Sequence, residues 1–108
     1  MDPTDDPKIK QIQIEMEDKV GTGEYCNFVI VTHSPAEFVL DFTQIMPGLP
    51  KARVRSRIII APIHAKAFVA ALNDNIKKYE DRFGEIKVSK DEWARQFGFK
   101  LPPDTVPN

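Results

Sequence analysis

The run Tyr25-Cys26-Asn27-Phe28-Val29-Ile30-Val31-Thr32, then His33-Ser34-Pro35-Ala36, then Glu37-Phe38-Val39-Leu40-Asp41-Phe42-Thr43 decides how the rest of the chain is read. Its first part is rich in β-branched and aromatic residues and reads as a strand covered on both faces for part of its length. The second is a turn, with Pro35 suited to the second position of a tight reversal. In the third, Phe38, Leu40 and Phe42 alternate with Glu37, Val39, Asp41 and Thr43, which predicts a strand with an inside and an outside. Two such strands joined by a short turn form an antiparallel pair.

Working outward, residues 8–16 alternate as well, with Lys10, Ile12, Ile14 and Met16 on one parity and Ile9, Gln11, Gln13 and Glu15 on the other. That predicts a half-buried strand ahead of the pair, reversed through Gly21-Thr22-Gly23. Downstream, Met46-Pro47-Gly48-Leu49-Pro50 cannot sit inside a ladder, because proline has no N–H to donate, so it is expected as a connection at the sheet edge. Beyond it Ala52, Val54, Ser56, Ile58 and Ile60 alternate with Lys51, Arg53, Arg55, Arg57 and Ile59, a fourth strand carrying a ladder of cations.

Pro62 suits the first turn of a helix, where its missing N–H is no loss. Phe68, Leu72, Ile76, Tyr79 and Phe83 then recur at helical spacing on one stripe, flanked by Ala67 and Ala71, and Gly84 is a natural stop. The stripe is expected to lie on the sheet. Ser89 opens a second, short helical pattern with Trp93 and Phe97 one turn apart, and the chain closes on a proline-rich tail. The predicted architecture is α+β: a four-stranded antiparallel sheet followed by one long amphipathic helix. A flexible leader at residues 1–7 precedes a sheet-plus-helix domain at 8–86, and an aromatic and proline-rich segment fills 87–108.

The 108 residues suit one domain, and 42% hydrophobic with 29% charged residues is an ordinary globular balance. Fifteen cationic and 16 acidic side chains leave a net charge of −1, so no overall field draws a polyanion and any nucleic-acid role needs a local basic patch. Cys26 is the only cysteine, which excludes an intrachain disulfide and a four-cysteine zinc site and is expected as a buried, inert thiol. The N-terminal residues lack the charge and apolar run of a signal peptide, and no apolar stretch is long enough to span a bilayer. A cytoplasmic location is the expectation.

The pieces Asn27-Phe28-Val29, Thr32-His33-Ser34-Pro35-Ala36-Glu37-Phe38-Val39-Leu40-Asp41-Phe42, Met46-Pro47-Gly48, Arg57-Ile58-Ile59, Pro62 with His64-Ala65-Lys66, Asn73-Asp74-Asn75-Ile76, Tyr79-Glu80 and Phe83-Gly84 keep one order and spacing across residues 25–86. In these the chain resembles a widespread prokaryotic family, the domain of unknown function 3467, which implies no particular activity. The order of four antiparallel strands and a long helix, with an x-F-x-x-D-F strand before the helix, is similar to the export chaperone SecB and its relatives. That likeness implies subunits associating through sheets and helices, and unfolded clients held on apolar grooves.

Candidate chemistry is sparse. His33, Ser34 and Asp41 have the side chains of a nucleophilic triad, but neighbours in a tight turn rarely reach its geometry, and no G-x-S-x-G elbow is present. His33 and His64 belong to no metal-ligand pair. No catalytic residue, metal or other cofactor is expected. Lys51, Arg53, Arg55 and Arg57 have two readings: a row of cations for a phosphate backbone or an acidic surface, or a solvated face paired across the sheet with Glu37 and Asp41. The second is preferred, because no aromatic platform is interleaved with the cations.

Tyr25, Val29, Val31, Val39 and Ile59 share the parity opposite to Phe28, Ile30, Phe38, Leu40 and Phe42, so one helix cannot cover all that the sheet exposes. They are expected to form an oligomer or partner surface, in a dimer or tetramer of the chain. Trp93, Phe97 and Phe99, with Leu101, are either a docked segment or a partner-binding motif. The function expected is a non-enzymatic oligomeric protein-binding module, of SecB-like chaperone type, taking unfolded or partner proteins. The alternative is a nucleic-acid-associated protein using the basic strand 51–57.

Overall fold

The computed structural model describes residues 11–89 of the chain. A single helical turn, α1 (Asp18–Gly21), leads to three strands, β1 (Phe28–His33), β2 (Phe38–Gln44) and β3 (Arg53–Ile60), and then to the helix α2 (Pro62–Phe83). The strands form one antiparallel sheet in chain order, with β2 at its centre.

The turns follow from their residues. Between β1 and β2, the Ser34 N–H donates to Glu37 O at 2.9 Å and the Ala36 N–H to Ser34 Oγ at 3.3 Å, a serine turn that closes the hairpin. At its end His33 pairs with Phe38, and their rings stack with centroids 5.4 Å apart. Between β2 and β3, Leu49 N–H donates to Met46 O at 3.1 Å around Pro47 and Gly48, and Gly48 has φ 79°. Proline second and a left-handed glycine third is the arrangement a type II turn requires.

Residues 11–16 form no strand, in contrast to the alternation of 8–16; residues 8–10 lie outside the described ones. The reason is that alternation only prepares a face, and a strand exists through a ladder partner. Here the chain enters α1 and a loop closed by Gly23 N–H to Val20 O at 3.1 Å, without a hairpin reversal onto β1.

The stripe on α2 does not lie flat on the sheet either. No residue of the helix is buried, although Pro62 starts it as expected and Gly84, at φ 101°, ends it. Only Ala61 separates β3 from α2. The helix stands off from the sheet, with an open groove between its first half and the strands. Its exposed side is laced by Lys77–Asp81 at 2.9 Å and Lys78–Asp74 at 3.0 Å, solvated pairs of small energetic weight.

Among the described residues, burial is confined to the central strand and the residue after it: Leu40, Asp41, Thr43 and Ile45. Cys26 is half-buried and so is not the sealed thiol expected.

Candidate functional site: an apolar groove and a broken cationic ladder

The register sets which side chains share a face. Val29 pairs with Phe42, Val31 with Leu40 and His33 with Phe38, while Leu40 pairs with Ile58 and Phe38 with Ile60. Cross-strand partners point the same way, so Val29, Val31, Phe38, Leu40, Phe42, Ile58 and Ile60 form one apolar face. Thr32 pairs with Val39 and Val39 with Ile59, which places these on the other face together with the Ile30–Asp41 pair.

This corrects the grouping of Tyr25, Val29, Val31, Val39 and Ile59. Val29 and Val31 lie on the face of Phe38 and Leu40, Val39 and Ile59 lie opposite, and Tyr25 precedes β1 at 74% exposure. The β1–β2 register joins even-numbered residues to odd-numbered ones, so parity inverts between the two strands.

Over the Val29 and Val31 face stands the first half of α2. Between sheet and helix is an open groove of about 820 Å³, floored by Val29, Val31, Phe38, Leu40, Phe42 and Ile60 and walled by Ala65, Phe68, Val69 and Leu72. Lys66 is the one charged residue among those lining it. Further along the helix, Tyr79 and Phe83 are 50% and 65% exposed, and they contact each other with ring centroids 5.0 Å apart.

The cationic row does not run along one face. A register shift lies between Phe42/Thr43: Ser56 pairs with Phe42 but Val54 with Thr43, which leaves Arg55 as the extra residue of a bulge. Arg53 pairs with Gln44, and Lys51 precedes the strand. Arg57 is held on the opposite face, its Nε donating to Asp41 Oδ1 at 2.7 Å and its Nη2 to Oδ2 at 3.0 Å. This is a two-pronged ion pair. The Arg57 guanidinium, bonded to Asp41, holds that carboxyl below its ordinary range, although partial burial opposes the shift; the same bond raises Arg57. Glu37 lies outside β2 and joins none of these pairs.

His33 and Ser34 are engaged in the ring stack and the turn, and Asp41 in the ion pair, so the three converge on no common point. No group of three or more metal-ligating side chains occurs among the described residues. Trp93, Phe97 and Phe99 lie outside the described residues.

One structural bond was not foreseen from sequence. Asn27 donates through Nδ2 to Ile45 O and accepts at Oδ1 from the Ile45 N–H, both at 2.8 Å, and so ties the start of β1 to the end of β2. The only local signal for it is a polar residue in an apolar run, which any solvent-facing position also produces.

A three-stranded antiparallel sheet followed by a long helix, with an apolar groove between them, defines a small α+β domain. The chain belongs to the family described as "Protein of unknown function (DUF3467)", whose model matches residues 1–88. No curated protein and no solved structure matches it. No helix among the described residues is long and apolar enough to cross a membrane.

Proposed function

We propose that the chain is a non-enzymatic protein-binding module that works in the cytoplasm as a homo-oligomer, a dimer or tetramer, holding apolar segments of other proteins in the manner of a SecB-like chaperone. The observation carrying this reading is the groove of about 820 Å³, apolar on both walls and open to solvent. Contiguous apolar surface of this kind marks a place where protein binds protein. Self-association is supported by the sparse interior: Leu40 and Ile45 are the only buried hydrophobic residues among those described. The stripe beyond the groove, at Ile76, Tyr79 and Phe83, leaves further apolar surface uncovered in the single chain, and the groove itself is the surface for a client.

Protein is preferred to nucleic acid as the partner because the bulge at Arg55 and the pairing of Arg57 with Asp41 disperse the cations that a phosphate backbone would need in one row. The test combines light scattering over a dilution series with aggregation of a chemically unfolded client. An oligomer that suppresses aggregation is expected; a monomer that leaves the client's aggregation unchanged overturns the reading.

A further inference from the structure

Residues 11–16, Gln11-Ile12-Gln13-Ile14-Glu15-Met16, have the period-two pattern of a half-buried strand yet belong to no ladder, and Ile12, Ile14 and Met16 are 84%, 92% and 67% exposed. A row of three apolar side chains left this open calls for a cover. The sheet has two outer edges of opposite character. The β3 edge carries Arg53, Arg55 and Arg57 and the bulge, features that blunt an edge against strand addition. The β1 edge from Val29 to Thr32 has no charge, proline or bulge, and among the described residues no strand lies beyond it.

We propose that residues 11–16 of a second copy add to the β1 edge as a fourth strand, and that the exchange is reciprocal. The inference rests on the self-association proposed above and assigns it a mode. Lengths match: β1 has 6 residues, and the same number of arm residues spans about 20 Å. Chemistry matches too. With Ile12, Ile14 and Met16 on the groove side they continue the rows begun by Val29 and Val31 and widen the groove floor, while Gln11, Gln13 and Glu15 stand on the other face beside Ile30 and Thr32.

A second copy is favoured over the chain's own edge because in the single chain the arm pairs with no strand and leaves Ile12 and Ile14 84% and 92% exposed. An exchanged element is an economical route to a dimer.

The test is hydrogen exchange on the full chain above and below its association midpoint, with Ile14→Pro, which removes a ladder donor, and Gln11→Ala as a control. The expected result is that β1 amides not bonded to β2 are protected only in the oligomer, that Ile14→Pro speeds their exchange about tenfold or more, and that Gln11→Ala changes little. Protection independent of concentration overturns the inference in favour of the chain's own arm folding back. An oligomer whose β1 edge exchanges freely sinks the strand exchange while leaving self-association intact, and a chain monomeric at every concentration sinks both.

Discussion

Replacing Phe68 and Leu72 together by alanine tests whether the groove wall is a binding surface. Both line the groove, and they are 42% and 46% exposed. Alanine is the best helix former, so the change does not weaken α2 through backbone propensity. Complete burial of a leucine or phenylalanine side chain is worth roughly 1.5–3 kcal/mol, so covering the exposed two-fifths of each is worth about 0.6–1.4 kcal/mol. The pair together amounts to roughly 1–3 kcal/mol, about a 10- to 100-fold rise in a dissociation constant. The assay is a titration of an apolar client peptide followed by fluorescence anisotropy, with circular dichroism confirming that helix content is kept. Affinity unchanged within threefold, with helix content intact, refutes the reasoning, because the wall would then touch nothing that binds.

Three further outcomes follow from bonds within the fold. Asp41 has its pKa lowered by Arg57, so its stabilising effect is complete above the unfolded carboxylate value of 3.8 and is lost as pH falls through the lower folded value; Asp41→Asn is expected to flatten the acid limb of stability measured by urea unfolding between pH 5 and 2, and an unchanged slope contradicts it. Asn27→Ala removes both bonds to Ile45, which is 2% exposed, and leaves its backbone groups without those partners, a loss of about 1–3 kcal/mol in chemical denaturation. Gly84→Ala meets no atom within 4 Å, so its effect is strain at φ 101° alone, about 1 kcal/mol or somewhat more in thermal unfolding.

The β1–β2 hairpin, a connection at Met46-Pro47-Gly48-Leu49-Pro50 and the span of α2 were legible because each is set by residues close in the chain, while the type II form of the connection came from the structure. Serine and proline make one turn, proline with a left-handed glycine makes the other, and Pro62 and Gly84 bracket a stripe of helical period. Asn27 was illegible for the opposite reason: its partner, Ile45, lies 18 residues away, and only the closed sheet brings the two together.

What the sequence by itself determined is therefore local: the segments of β1, β2, β3 and α2 and where the chain turns between them, but not that residues 11–16 stay out of the ladder. Tertiary structure decided how those segments meet. The register joins even to odd positions across β1 and β2 and so puts Val29 beside Phe42, and one unpaired residue at Arg55 takes apart a row of cations that alternation had aligned. The helix, joined to β3 through Ala61 alone, stands over the sheet with the groove between them. The physical reason is common to all three: strand offsets and the placement of a helix over a sheet are relations between distant segments, and no pattern within either segment records them.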